Sequence, residues 1–275
     1  MKKLSKEPNK NYPAFVAEKR LGQNFLHDRK VQTRIIEACQ FSPEETVLEI
    51  GPGQGALTRQ ILPCVKGVIA VEADRQLAEG LEREFLDSNL TLHHGDFLKF
   101  DFSKIPGPIK VVGNLPYYIS TPIISKVLEN REKFTSLFMT VQLEFGERLV
   151  AKPGNKIYSS FTCFVNYFSE PKLLFTISKN AFSPAPKVMS CFMRLDMRKT
   201  PPVSVKDEPL FLQVIRLAFQ QRRKTLLNSL SQLCPKAKLG AVLAQAGVPE
   251  RTRAEELGLE KFAMISNCMK VALDG

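Results

Sequence analysis

TVLEIGPGQG, residues 46 to 55, joins a short apolar run to three glycines at alternate positions. The apolar run indicates a buried strand, and the glycines permit a tight turn into a helix and a close approach of backbone to a ligand. The spacing G-x-G-x-G differs from the G-x-G-x-x-G of dinucleotide-binding enzymes, and no Gly-Lys-Ser/Thr follows, which disfavours a phosphate cradle. Glu49 ahead of the loop suits a cation better. Taken alone, the stretch is also explained by a structural glycine turn.

Short apolar strands and helices alternate outward from this stretch. We predict strands at 46–50, 67–72, 90–93, 109–113 and 137–141. We predict helices at 31–39, 56–62, 74–87, 122–130 and 145–151. Such alternation is typical of an α/β fold with a mainly parallel sheet that is covered by helices on both faces.

The pattern changes in the last third of the chain. Two strands, 172–177 and 188–195, are joined by a Pro-rich loop and predict an antiparallel pair at the far edge of the sheet. The segment 198–202, RKTPP, marks a boundary. Beyond it we predict helices at 209–219, 225–233, 239–246 and 259–273. We therefore expect a catalytic domain at 1–200, with a flexible basic lead at 1–20, and a small all-helical C-terminal domain at 201–275.

Composition indicates an ordinary globular protein with a basic surface. The net charge of +11 and the pI near 9.4 favour a polyanionic partner, although a basic protein without such a partner has the same charge. The cluster 220–224, QQRRK, is expected either to contact phosphates of such a partner or to form a solvated helix face. No apolar run approaches the roughly 18 residues that span a bilayer, and the start resembles neither a secretory signal nor a mitochondrial presequence. We expect a cytoplasmic protein that does not enter a membrane.

Cysteine and histidine do not indicate a metal site. The cysteines are scattered without a C-x-x-C pair and are expected to be reduced core residues; they are Cys39, Cys64, Cys163, Cys191, Cys234 and Cys268. The adjacent His93 and His94 have no further ligand at metal-binding spacing.

Polar residues follow four of the predicted strands. Four successive strands end at such residues: Glu49 with Gly51, Glu72, Asp96 and Asn114. The carboxyl ends of parallel strands meet at one edge of the sheet, where open α/β folds bind ligands. A carboxylate such as Glu72 at the end of the second strand suits both hydroxyls of a ribose. Asp96 suits an adenine amino group. Each acid alone is more often an N-cap or a surface residue, so the argument depends on their convergence.

NLPY, residues 114 to 117, suits chemistry on a planar amine. The Asn114 side-chain carbonyl and a backbone carbonyl both accept hydrogen bonds from an NH₂ group, Pro116 stiffens the turn, and the Tyr117 ring offers a face to a flat base. An aromatic amine is a poor nucleophile because its lone pair is delocalised. Two acceptors favour a tetrahedral nitrogen with the lone pair directed at an electrophile. The alternative is an ordinary strand followed by a Pro-containing loop.

The strand-end residues, in this order, resemble those of class I S-adenosylmethionine-dependent methyltransferases. Three segments make the resemblance specific: LGQNFL at 21–26, NLPY at 114–117 and NAFSPAPKV at 180–188 are similar to those of the KsgA/RsmA family of rRNA adenine dimethyltransferases. The resemblance covers essentially the whole chain and includes FQQRRKTL at 219–226. It implies a Rossmann-like fold.

The resemblance also implies residue roles and a substrate. By this resemblance, the residues expected to bind S-adenosylmethionine are Asn24, Leu26, Gly51, Glu72, Asp96 and Asn114. Asn114 and the Leu115 carbonyl are expected to orient the target amine, in a turn stiffened by Pro116. Tyr117 is expected against one face of the adenine and Phe182 against the other; the alternative for Phe182 is a core aromatic residue in a Pro-braced loop. The implied reaction adds two methyl groups to each of two adjacent adenosines in the 3′-terminal hairpin loop of 16S rRNA. The implied partner is the immature small ribosomal subunit, methylated by a monomeric enzyme with a role in ribosome biogenesis.

Three other functions compete with this one. A macrolide-resistance methyltransferase acts on an adenine of large-subunit rRNA; Leu115, instead of isoleucine, and the PAPKV segment favour the small subunit. A non-catalytic RNA-binding or assembly factor could share the fold, and intact Asn114 and Glu72 argue against it. A nicotinamide oxidoreductase is disfavoured by the glycine spacing.

Overall fold

The computed structural model of the chain describes residues 23–221 and 224–274. The basic lead expected at 1–20, the first two residues of the LGQNFL segment, and Arg222 and Arg223 of the basic cluster lie outside these ranges. None of the helices in the described ranges is long and apolar enough to cross a membrane.

A seven-stranded sheet with the order β4-β3-β2-β5-β6-β9-β7 organises the chain. Its strands are β2 (Thr46–Ile50), β3 (Gly67–Glu72), β4 (Leu90–His94), β5 (Ile109–Asn114), β6 (Phe134–Gln142), β7 (Ser169–Ile177) and β9 (Ser190–Met197). The strands from β4 to β6 run parallel, whereas β9 pairs antiparallel with both β6 and β7. The mainly parallel sheet and the antiparallel pair at its far edge are both confirmed. Outside this sheet, β1 (Phe25–Leu26) pairs with β8 (Phe182–Ser183).

The helices follow the predicted order, with one addition. They are α1 (Arg29–Cys39), α2 (Thr58–Ile61), α3 (Arg75–Glu84), α4 (Ser120–Glu129), α5 (Leu143–Leu149), α6 (Ser160–Phe168), α7 (Glu208–Phe219), α8 (Leu226–Ser229), α9 (Lys236–Gln245) and α10 (Leu259–Asp274). Helix α6 was not predicted, because its sequence SFTCFVNYF is apolar almost throughout and has no polar stripe. Its start is marked instead by a capping box between Ser159 and Thr162. Helix α8 is a single turn, shorter than the predicted 225–233.

Both faces of the sheet are buried. Successive side chains of a strand point to opposite faces, and Val47 and Leu48 accordingly belong to two different apolar clusters. Ile35 of α1 packs in the cluster of Val47, and Ile124 of α4 packs in that of Leu48. Burial on both faces explains why the parallel strands read as continuous apolar runs.

The C-terminal helices continue one of these clusters. Phe211 of α7 packs on Tyr167 of α6 with ring centroids 4.8 Å apart, and the Tyr167 hydroxyl donates to Glu208 Oε2 at 3.1 Å. Apolar residues of α9 and α10 belong to the same cluster. The division of the chain at residue 200 stays a prediction, since this apolar cluster continues across it.

Candidate active site

A cleft opens at the carboxyl ends of the parallel strands β2 to β5. Its volume is about 1070 Å³, including space open to solvent. Nearly all the predicted site residues line it: Asn24, Leu26, Gly51, Glu72, Asp96, Asn114, Leu115, Pro116 and Tyr117. Phe182 is not among the lining residues. The convergence of strand-end residues that the sequence predicts is therefore present.

The glycine loop after β2 forms one wall. Gly51 and Gly53 have φ of 63° and 60°, the left-handed region that favours glycine, and Gly51 N donates to Val71 O at 2.9 Å. A Cβ atom on Gly53 would lie 3.3 Å from the Phe25 ring. The loop therefore presents bare backbone to the cleft while the segment of β1 lies directly against it.

Glu72 holds this loop in place. Its carboxylate is 5% exposed and accepts hydrogen bonds from Gly53 N and Asp74 N, each at 2.9 Å. Burial raises the pKa of Glu72, and the hydrogen bonds from these backbone groups oppose the rise. The carboxylate at the end of β3 thus joins the glycine loop to the start of α3.

Glu49 is a second buried carboxyl group in the cleft wall. It is 2% exposed, and Thr58 Oγ1 donates to its Oε2 at 2.7 Å. Burial raises the pKa of Glu49 to about 7, the Thr58 hydrogen bond lowers it, and the charge of Glu72 raises it further. The carboxyl groups of Glu49 and Glu72 repel each other electrostatically, and a positively charged ligand would relieve that repulsion.

Asp96 follows β4 and is exposed. Its Oδ1 accepts a hydrogen bond from Leu98 N at 2.8 Å and caps a single turn. Phe97, which is 6% exposed, also lines the cleft. The predicted contact of Asp96 with an adenine amino group stays a prediction; the observed bond is that of an N-cap, the alternative explanation given for such an acid.

Asn114 ends β5 and is held by the N-terminal segment. Its Nδ2 donates to the backbone carbonyl of Asn24 at 2.8 Å. That bond fixes the amide plane and leaves Oδ1 as an acceptor. The same segment is held further along, since Gln32 Nε2 donates to Leu26 O at 2.9 Å. Asn24 and Leu26 therefore line the same cleft as Asn114, and their cofactor contacts stay a prediction.

The rest of the tetrapeptide is firmly anchored. Leu115 is 1% exposed, and its N donates to Thr140 O of β6 at 3.2 Å. The Tyr117 hydroxyl is hydrogen-bonded to Ser190 Oγ of β9, with 2.6 Å between the oxygens. Burial raises the pKa of Tyr117, which keeps the phenol neutral. The ring is therefore fixed at both its backbone and its hydroxyl end.

Phe182 lies elsewhere. It pairs with Leu26 in the β1–β8 ribbon, is 2% exposed, and belongs to the apolar cluster beneath. Its burial agrees with the alternative interpretation of Phe182 as a core aromatic residue in a Pro-braced loop. To stack on a base, the ring would have to leave this cluster; the stacking role stays a prediction.

Two contributors were missed from the sequence. Ser190 is the first residue of β9, and its polarity at the start of an apolar strand is the only sequence signal of its role. Thr58 starts α2, where a hydroxyl is commonplace. No group of three or more His, Cys, Asp or Glu side chains in 23–221 and 224–274 is arranged to hold a metal ion.

Comparison with known proteins agrees with this architecture. A sequence model of the family described as ribosomal RNA adenine dimethylase matches residues 14–270. The chain is 41% identical over 268 residues to ribosomal RNA small subunit methyltransferase A of Moorella thermoacetica, covering 93% of each. A dimethyladenosine transferase from Plasmodium falciparum superposes with a TM-score of 0.77 at 26% identity, over 88% of this chain and 95% of that one. The 23S rRNA methyltransferase ErmE superposes with a TM-score of 0.71 at 28% identity, over 90% of this chain and 100% of that one.

Proposed function

The chain belongs to the ribosomal RNA adenine dimethylase family, and we propose on that basis that it methylates adenosines of small-subunit rRNA with S-adenosylmethionine. The proposed targets are the exocyclic amino groups of two adjacent adenosines in the 3′-terminal hairpin loop of 16S rRNA. Each would receive two methyl groups. The proposed partner is the immature small subunit, and the proposed enzyme is a cytoplasmic monomer.

The cleft wall formed by β2 and β3 fits the cofactor. S-adenosylmethionine supplies a methyl group on a positively charged sulfur and also carries an ammonium group and a ribose. The two buried carboxyl groups, Glu49 and Glu72, favour a cationic ligand, and Glu72 is placed for ribose hydroxyls. The bare backbone at Gly51 and Gly53 admits close approach. Asn24, Leu26, Asp96 and Asn114 complete the proposed cofactor-binding set.

The orientation of Asn114 is the observation that supports amine methylation most directly. Because its Nδ2 donates to Asn24 O, its Oδ1 is available to accept from an NH₂ group. With the Leu115 carbonyl it would hold the amine hydrogens out of the ring plane and direct the nitrogen lone pair towards the methyl donor. The proton is lost after transfer, when the alkylated nitrogen is acidic. Tyr117 supports one face of the base.

The choice of ribosomal subunit depends on the relatives. The structural similarity extends both to a dimethyladenosine transferase and to a 23S rRNA methyltransferase, so the fold does not separate them. The 41% identity to ribosomal RNA small subunit methyltransferase A of Moorella thermoacetica, over 93% of each chain, supports the small subunit.

The test is methyl transfer to isolated subunits. Small and large subunits that lack adenine methylation are incubated separately with the protein and isotopically labelled S-adenosylmethionine, and rRNA fragments are analysed by mass spectrometry. We expect dimethyladenosine at two neighbouring positions near the 3′ end of small-subunit rRNA. Label in large-subunit rRNA alone would assign the macrolide-resistance function. RNA binding without label in either subunit would assign a non-catalytic assembly factor.

A further inference from the structure

Tyr118 differs from the other aromatic residues in its exposure. Of the phenylalanines and tyrosines that the structure describes, it alone is exposed, at 59%. It lines the rim of the cleft in the single turn Tyr117–Ile119 that follows β5. A single exposed apolar residue is ordinary on a protein surface, so its position must supply the argument.

The two neighbouring tyrosines face different directions. Tyr117 is half-buried with its hydroxyl bonded to Ser190. In a 3₁₀ turn of three residues, successive side chains are rotated by about 120°. The two rings therefore point in different directions, and the exposed Tyr118 ring is available to a second group at the cleft.

Further exposed apolar side chains directly precede Ser190, the hydrogen-bond partner of Tyr117. Val188 and Met189 are 45% and 41% exposed and directly precede Ser190, the residue bonded to Tyr117. Lys187, also exposed, adds a positive charge next to them. Proteins bind unpaired nucleotides by stacking on exposed aromatic rings and by contact of cationic side chains with phosphates. Tyr118 and Lys187 supply such groups on the two chain segments that the hydrogen bond between Tyr117 and Ser190 joins.

We propose that Tyr118 is a stacking site for the nucleobase next to the target adenosine. The inference rests on the proposed function, because it requires RNA in the cleft. A target base drawn out of a loop leaves its neighbour unstacked at the rim, and the Tyr118 ring replaces the lost stacking partner. With two adjacent adenosines as targets, one is held at Tyr118 while the other is methylated.

The first experiment compares variants of this exposed ring. Tyr118→Ala removes the stacking surface, Tyr118→Phe retains it, and Val271→Ala, at a residue of α10 that is 53% exposed, is the matched control. We expect kcat/KM for unmethylated small subunits to fall roughly five- to a hundredfold in Tyr118→Ala, the range for one stacked base. The two other variants and the affinity for S-adenosylmethionine should remain near wild type. Equal activity of Tyr118→Ala and wild type would overturn the proposal.

A second experiment identifies the base that stacks. Small subunits are assembled from rRNA with an abasic nucleotide in place of one of the two adenosines, and methylation of the remaining adenosine is measured. Wild type should lose activity on the abasic substrate, whereas Tyr118→Ala should show little further loss, because the interaction is already absent. Additive losses would show that Tyr118 does not contact that base. Absence of methylation by wild type on intact subunits would instead refute the proposed function.

Discussion

The two halves of the cleft differ in how their polar contacts are made. In the half formed by β2 and β3, which we call the cofactor half, most polar contacts join residues near one another in the chain, with the exception of Gln23 Nε2, which donates to Asp74 Oδ2 at 3.4 Å. Thr58 donates to Glu49 nine residues earlier, and Gly53 donates to Glu72 nineteen residues later. These residues belong to consecutive strands and to the turns that follow them, so the sheet topology alone brings them together.

In the half formed by β5, which we call the acceptor half, the partners are remote. Asn24 precedes Asn114 by 90 residues, and Ser190 follows Tyr117 by 73. The acceptor half is therefore complete only when the N-terminal segment and the antiparallel strand β9 are both in place. We infer that substitutions in the N-terminal segment or in β9 can alter the position of the substrate while binding of the cofactor is unchanged. Single substitutions in each half test this independence.

The largest expected effect comes from Asn114→Ala. The substitution removes the Oδ1 acceptor and also the bond that holds the N-terminal segment. We expect kcat to fall by at least about 10²–10³-fold, the cost of removing one preorganised polar group at a reacting centre. Binding of S-adenosylmethionine and of small subunits, measured by calorimetry and sedimentation, should remain detectable. Turnover near wild type would rule out the assigned role of Asn114.

Glu72→Ala should act on the cofactor half. Its carboxylate accepts hydrogen bonds from two backbone N–H groups and is placed for the hydroxyls of a ribose. A hydrogen bond to a charged group is worth about 1.5–3 kcal/mol. We expect affinity for S-adenosylmethionine to fall about a hundredfold by calorimetry. Glu79→Ala is the matched control, since Glu79 lies on α3 and pairs only with the exposed Arg75 among the described ion pairs. Equal losses in both variants would point to destabilised packing instead of ligand contact.

The same division explains what the sequence could predict. Glu72 and Gly51 follow predicted strands directly, so the parallel order of the strands was enough to place them in one cleft. The sequence predicted an antiparallel pair at the far edge, but the contact of Ser190 depends on the register of β9 on β6, which no local pattern specifies. Phe182 shows the limit most clearly, because the sequence allowed both a stacking residue and a core aromatic residue, and only the β1–β8 pairing shows it buried.

Glu49→Gln should change the pH dependence of stability. The folded-state pKa of Glu49 is about 7, above its ordinary 4.5, so the folded state binds its proton more tightly than the unfolded state. Stability therefore falls as pH rises from about 4.5 to 7, by about 3 kcal/mol for this group. The variant has no titrating group at position 49. Its free energy of unfolding should therefore equal that of wild type near pH 4.5 and exceed it at pH 8. Denaturant unfolding of the ligand-free protein at both pH values measures this. A constant difference between the two proteins would refute it.

The smallest expected effect concerns the remote anchor of Tyr117. Ser190→Ala and Tyr117→Phe each remove the same hydrogen bond, worth about 1 kcal/mol, so each should lower kcat/KM for small subunits about fivefold. The double variant should lose little more than either single one, because there is one interaction to lose. Affinity for S-adenosylmethionine should stay unchanged in all three, since Ser190 lies on β9 and does not line the cleft. Additive losses would mean that the two hydroxyls act separately, and a parallel loss of cofactor affinity would mean that the two halves are coupled. If cofactor affinity is retained and the losses of turnover are not additive, the antiparallel strand β9 positions Tyr117 in the acceptor half without affecting the cofactor half.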